Sequence, residues 1–237
     1  MNQTTTPKLR TVQSYLEEVP PGLDGAAKVP MTSMQRLIFI LASTGKLFEG
    51  LVIFMTGMAL PLIIEDLNLT AAQAGLVTAS SLGGILLGAL FLGTLSDRLG
   101  RKAMFVAEMV IFTAFLVGFT FSTNLAWLLV CSVGMGLALG CDYLMLSATS
   151  SSRGRSRSVL GAFAFQAVGA VTGALVAVIV LSVATPSISS WRIMFGIAII
   201  PAAVVTIGRL FSAKSPHWLL TKGRVPEAEH ALARILY

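Results

Sequence analysis

Apolar residues in this chain come in long blocks, with no strand-like alternation. After about 36 mostly polar residues, six apolar runs follow at approximately 37–64, 71–95, 103–122, 126–149, 158–183 and 191–212. Coiled as a helix, each run is long enough to cross the ~30 Å hydrocarbon layer of a bilayer, which takes about 20 residues. The connections range from a few residues to about ten, so successive helices run back and forth as a tight antiparallel bundle. The pattern predicts an all-α polytopic membrane protein with six spans. A polar tail over 1–36 precedes a transmembrane unit over 37–212, and a polar segment over 213–237 follows it.

The flanking segments have their own signals. Thr4-Thr5-Thr6 and Pro20-Pro21-Gly22 argue against a stable fold in the tail, with one short amphipathic turn between Val12 and Val19. The first 30 residues hold no apolar stretch of signal-peptide type, so the first span is expected to serve as its own insertion signal. Toward the end, Pro226, Glu227 and Glu229 suit a helix start. Ala228, Leu232 and Ile235 give that helix one apolar stripe, so it is expected to lie amphipathically under the bundle at the cytosolic face, as a linker.

Composition agrees with a bilayer. Hydrophobic residues make up 55% of the 237 positions and charged ones 12%, with mean hydropathy +0.81; a soluble domain carries about twice that charge. The net charge of +6 raises the question of nucleic acid, but the cations fall between apolar runs, as membrane topology requires. Arg36, the Arg98/Arg101/Lys102 cluster, Arg153/Arg155/Arg157 and Arg209/Lys214/Lys222/Arg224 share one side, while Glu65, Asp66 and a single cation, Arg192, mark the other. Positive-inside orientation makes the first side cytoplasmic, with both termini inside, in a plasma or inner membrane. The two cysteines, Cys131 and Cys141, share one apolar run. As ten residues of helix they stand ~15 Å apart, too far for a disulfide.

Three stripes of small residues mark expected close helix contacts: Gly84 with Gly88, Gly136 with Gly140, and Gly169 with Gly173. In lipid, where burying apolar surface drives little, such residues let backbones pack. They also suit surfaces that slide in a conformational cycle, and those on spans two and five would permit pairing with a second copy.

Ionisable groups inside spans are functional candidates by default, because each is costly to hold there. Lys46 and Glu49 lie near the middle of the first span at i, i+3, where they share a face and can pair. A Glu that releases its partner when protonated is what proton coupling needs; a static buried ion pair is the alternative. Asp142, with Tyr143 beside it, offers a proton site next to a phenol, or a structural partner for Arg101 or the Arg153 cluster. Gln166 is polar within Ala162-Phe-Ala-Phe-Gln166-Ala-Val-Gly169. Its amide either binds a polar solute in a wet cavity or joins two helices. Glu108 is read as structural, within reach of the basic turn.

That turn, Gly93-Thr-Leu-Ser-Asp97-Arg98-Leu-Gly100-Arg101-Lys102, resembles the loop between the second and third helices of the major facilitator superfamily. Trp191-Arg192-Ile-Met-Phe195-Gly196, and Ser215-Pro216-His217-Trp218 with Lys214 in place of an acid, resemble the sixth-helix region of its sugar-porter branch. Gly140-Cys-Asp142-Tyr143 is similar to the fourth-helix signature of the phosphate:proton symporters, without the proline that usually follows the Tyr. The resemblance implies one six-helix lobe built from two inverted three-helix repeats, in a fold whose complete members have two lobes with the site between them. It further implies coupling roles for Glu49 and Asp142 with Lys46 as electrostatic partner. Tyr143 and Gln166 would contact substrate, and Gly93, Asp97, Arg98, Gly100, Arg101 and Lys102 would form a conformational latch.

The expected function is secondary transport of a small polar or anionic solute (sugar, phosphate or organic acid), proton-coupled, by alternating access. Its partners are the bilayer and a second six-helix lobe, supplied by a separate chain or by a second copy. The alternative is a non-transporting half-size membrane protein: an accessory subunit, a sensor or a remnant. No enzyme, metal or cofactor is expected, since no Walker motif or Cys/His cluster occurs and no nucleophile stands with a base.

Overall fold

The computed structural model describes residues 33–99, 101–140, 155–183 and 189–210. Among the described residues every regular element is an α-helix: α1 Ser33–Asp66, α2 Ala71–Leu99, α3 Arg101–Thr120, α4 Leu125–Leu139, α5 Arg155–Val183 and α6 Ser190–Leu210. These match the six apolar runs in order and, except for the fourth, nearly in extent. Five are long and apolar enough to cross a membrane. The fourth has 15 residues, about 22 Å of helix. Gly140, just past its end, keeps helical angles (φ −64°, ψ −18°), and its N–H still bonds to the Gly136 carbonyl at 3.0 Å. Residues 141–149 of that run lie outside the described residues, as do the tail over 1–32 and the amphipathic segment expected after Pro226.

Local chemistry sets the helix ends. Asn68 takes the left-handed conformation (φ 50°) that stops α1, and the Leu69 N–H folds back to the Ile64 carbonyl at 2.9 Å. Two residues later Thr70-Ala-Ala-Gln73 forms a capping box for α2. The Thr70 N–H donates to Gln73 Oε1 (2.8 Å), and the Gln73 N–H donates to Thr70 Oγ1 (3.4 Å). Asn124 caps α4, its Oδ1 accepting the Trp127 N–H at 2.8 Å.

Two backbone seams organise the bundle. The most extensive helix pairings are α1 with α5 and α2 with α4. An inverted repeat that exchanges α1 with α4 and α2 with α5 turns one pairing into the other. Both seams are lined by glycine. A Cβ at Gly84 would lie 2.4 Å from the Val133 carbonyl oxygen, and one at Gly88 2.1 Å from that of Leu137. Facing them, a Cβ at Gly136 would lie 2.2 Å from the Ser81 oxygen. On the other seam, a Cβ at Gly169 would stand 1.9 Å from the Leu47 oxygen, and one at Gly50 2.0 Å from the Gln166 oxygen. The stripes on α2 and α5 are therefore filled inside the lobe. The expectation that they offer a face to a second copy is corrected, because another helix already occupies the space.

The outer surface is inverted relative to a water-soluble protein. Leu82, Leu86 and Leu90 on α2, Val171, Leu175 and Val178 on α5, and Ile193, Ile197, Ile200 and Val204 on α6 are all exposed. An apolar surround suits such faces, so large apolar side chains point outward while the seam glycines point inward. Between the seams, α3 and α6 pack together. Phe119 lies 4.6 Å from Phe195 and 5.9 Å from Trp191, centroid to centroid, and Phe48 lies 5.4 Å from Phe112.

Candidate functional site

Glu49 is at the midpoint of α1, and its two carboxylate oxygens have different partners. Oε2 takes the Lys46 ammonium, one helical turn back, in an ion pair. Oε1 accepts from Gln166 Nε2 of α5 at 3.3 Å. Lys46 is 2% exposed and Glu49 5%, whereas Gln166 is half-buried. The seam explains how an amide on α5 comes within reach. Gly50, beside Glu49, has no side chain, so α5 settles with the backbone of Gln166 itself against that glycine. Pairing across helices satisfies a carboxylate that hydrocarbon would otherwise penalise.

Three of the residues singled out from sequence thus meet in one cluster at mid-helix. The structure resolves the two roles left open for Gln166 only so far: the amide does join two helices, and it still reaches the surface of the bundle. Asp142 and Tyr143 lie outside the described residues. The described residues of the basic turn belong to helices: α2 runs through Gly93, Asp97 and Arg98 to Leu99, and α3 starts at Arg101 with Lys102 next. Only Gly100 separates the two helices, and it lies outside the described residues.

A second ionic cluster was not announced by the sequence. Arg209 was grouped with the cytosolic loop cations, yet it is fully buried. Its Nη1 stands 3.2 Å from Glu108 Oε2 and donates to the Phe105 carbonyl at 2.9 Å, while Nη2 donates to the Leu41 carbonyl at 3.1 Å. The guanidinium carbon also stacks 4.0 Å over the Phe105 ring. One side chain on α6 therefore holds α3 and α1. The available signal was position: Arg209 lies inside the expected sixth span, where a cation demands a partner. An Arg209→Lys variant keeps the charge but has no planar fork to reach both carbonyls and the carboxylate. It is expected to lose about 1.5–3 kcal/mol of stability, the value of a charged hydrogen bond, read as a lower midpoint of thermal unfolding in detergent.

At the opposite end, Asp66 and Arg192 meet. Arg192 Nη1 lies 2.9 Å from Asp66 Oδ2, which also accepts from Trp191 Nε1 at 3.0 Å; Arg192 Nη2 donates to the Ser122 carbonyl at 2.9 Å. The pair ties the ends of α1, α3 and α6. Sequence marked Asp66 and Arg192 as lying on that side, but not that they touch.

Comparison with known proteins adds a family and a fold. Residues 29–236 match the family model described as sugar (and other) transporter. The chain is 33% identical over 205 residues to the arabinose-proton symporter of Escherichia coli K12, covering 84% of this chain and 42% of that protein. It is 30% identical over 207 residues to the inner membrane metabolite transport protein YgcS of the same organism, covering 86% and 46%. Among solved structures, the proton:xylose symporter XylE superposes with TM-score 0.77 at 21% identity, over 86% of this chain and 50% of that one, a likeness of fold. The chain spans about half the length of the curated relatives it matches.

Proposed function

Because the chain belongs to the sugar (and other) transporter family, we propose that it is one six-helix lobe of a proton-coupled secondary transporter. Its solute is small and polar or anionic: a sugar, a phosphate or an organic acid. It works by alternating access in the cell membrane, with both termini cytoplasmic and a second six-helix lobe completing the site. The observation that carries this reading is the Lys46–Glu49–Gln166 cluster at the middle of α1. A charged pair at that depth is costly, and bilayer proteins hold such groups mainly where protons, ions or solutes pass. Among the relatives matched is one named a proton symporter.

In this reading Glu49 carries the coupling proton and Lys46 balances its charge. Asp142 is a second proton site, and Tyr143 and Gln166 contact the solute. Gly93, Asp97, Arg98, Gly100, Arg101 and Lys102 form the cytosolic latch. The half-exposed amide of Gln166 marks the face turned toward the solute path, since lipid would not take a polar group. The second lobe docks by a face other than the glycine stripes of α2 and α5.

Reconstituted vesicles holding the chain, with any membrane protein that co-purifies with it, provide the test. Radiolabelled D-xylose, inorganic phosphate and a monocarboxylate are offered with and without an inward pH gradient. One of them is expected to accumulate only with the gradient, and Glu49→Gln with Asp142→Asn is expected to abolish that dependence. Gradient-driven uptake that survives both substitutions removes the coupling assignment; absence of uptake for every solute favours a non-transporting membrane protein.

A further inference from the structure

The two oxygens of Glu49 are held by different groups, and this gives protonation a specific consequence. Lys46 occupies Oε2 and, as an ammonium, can only donate. The proton is therefore received at Oε1, the oxygen that faces Gln166. While Glu49 is ionised, Oε1 has no hydrogen, so Gln166 must turn its NH2 inward, as the structure has it, and its carbonyl oxygen is left for the surface. Once Oε1 carries a proton it becomes a donor, and an inward NH2 would set donor against donor. Rotation of the amide by half a turn breaks N–H···Oε1 and makes Glu49 O–H···Oε1 of Gln166, leaving the NH2 for the surface.

We propose that Gln166 is a polarity switch read by the solute: it presents an acceptor when Glu49 is ionised and two donors when Glu49 is protonated. This deepens the transport reading and rests on Glu49 being its proton site. Of the three groups, only Gln166 is half-exposed, so it is the one able to report the proton to the outside of the bundle. The solute class follows. The group bound at Gln166 in the proton-loaded state is a hydrogen-bond acceptor, such as a phosphate, carboxylate or ether oxygen. Proton and acceptor then favour each other's binding, which is the reciprocity that symport requires.

Other charges with described side chains stand apart from this exchange. On α6, Arg209 reaches α1 only at the Leu41 carbonyl and faces Glu108 of α3, while Arg192 meets Asp66 at the far end of α1. On α4 the described titratable side chain is the buried Cys131, and on α5 none is described; Arg155 and Arg157 begin α5, eleven and nine residues before Gln166.

Infrared difference spectra of the whole chain in lipid, titrated with acid, test the switch directly. The protein is labelled with 13C at the glutamine side-chain carbonyl. A protonated-carboxyl band is expected to appear and to be lost in Glu49→Gln. A labelled glutamine band is expected to shift at the same pH midpoint, and that shift is expected to vanish in Glu49→Gln and in Gln166→Met alike. The wild-type titration alone already reads whether the two bands move together, so the result stands if one variant fails to fold. A stationary glutamine band beside a Glu49 carboxyl band overturns the switch and leaves the proton reading intact. Absence of any acid-induced band that Glu49→Gln removes overturns the proton reading, and the switch with it.

Discussion

Leucine in place of Gly88 or Gly169 is expected to keep the six helices from closing into one bundle. At Gly88 the first added carbon would stand 2.1 Å from the Leu137 carbonyl oxygen, and at Gly169 1.9 Å from that of Leu47. Carbon and oxygen in contact sit about 3.3–3.6 Å apart, so a helix axis must retreat by more than an ångström. The obstacle is backbone, which has no rotamer to change. Overpacking in a core of flexible side chains costs about 1–3 kcal/mol; here the loss exceeds that range, because retreat at one glycine opens the whole seam. The control is adjacent: a Cβ at Gly83 meets nothing within 4 Å. Gly83→Ala should instead gain up to about 1 kcal/mol of helix propensity. The comparison is read from monodispersity and thermal unfolding of the purified variants in one detergent. Equal stability of Gly83→Leu and Gly88→Leu would remove the seam from the account of the fold.

The second large effect concerns the charged pair. Lys46→Met leaves the Glu49 carboxylate buried without the ammonium at Oε2, and breaking a buried pair from one side costs about 3–5 kcal/mol. Replacing both, Lys46→Met with Glu49→Gln, removes the charge along with its partner and should recover most of that loss. The amide at position 49 can still bond to Gln166. Unfolding midpoints of wild type, both single variants and the double variant form a thermodynamic cycle whose interaction energy is the quantity sought. Coupling below about 0.5 kcal/mol would mean that the pair does not hold α1 in place. In vesicles the double variant is expected to be folded yet indifferent to a pH gradient, which separates the structural role of the pair from its role in coupling.

Much of the fold was legible before any coordinates. Glu49 and Lys46 were paired by an i, i+3 argument that needs only one helix, and the pair is present. The glycine stripes were recognised as contact surfaces, and they are. Their partners were not recognised. Nothing in Gly84-Ile-Leu-Leu-Gly88 says that it meets α4, nor in Gly169-Ala-Val-Thr-Gly173 that it meets α1. Arg209 shows the same gap: its charge placed it on the cytosolic side, while its contacts reach Phe105 and Leu41, 104 and 168 residues away.

The sequence by itself determined the apolar runs, their order, the gathering of cations in alternate connections and the family. A bilayer imposes these requirements segment by segment: about 20 apolar residues per crossing and cations retained on one side. Only the tertiary structure decided which faces turn inward, that Gln166 stands over Glu49, that Arg209 pins three helices, and that Asp66 meets Arg192 across 126 positions. In water an amphipathic stripe would have announced the inner face. In lipid both faces of a helix are apolar, periodicity loses that information, and the choice falls to close packing between residues far apart in the chain.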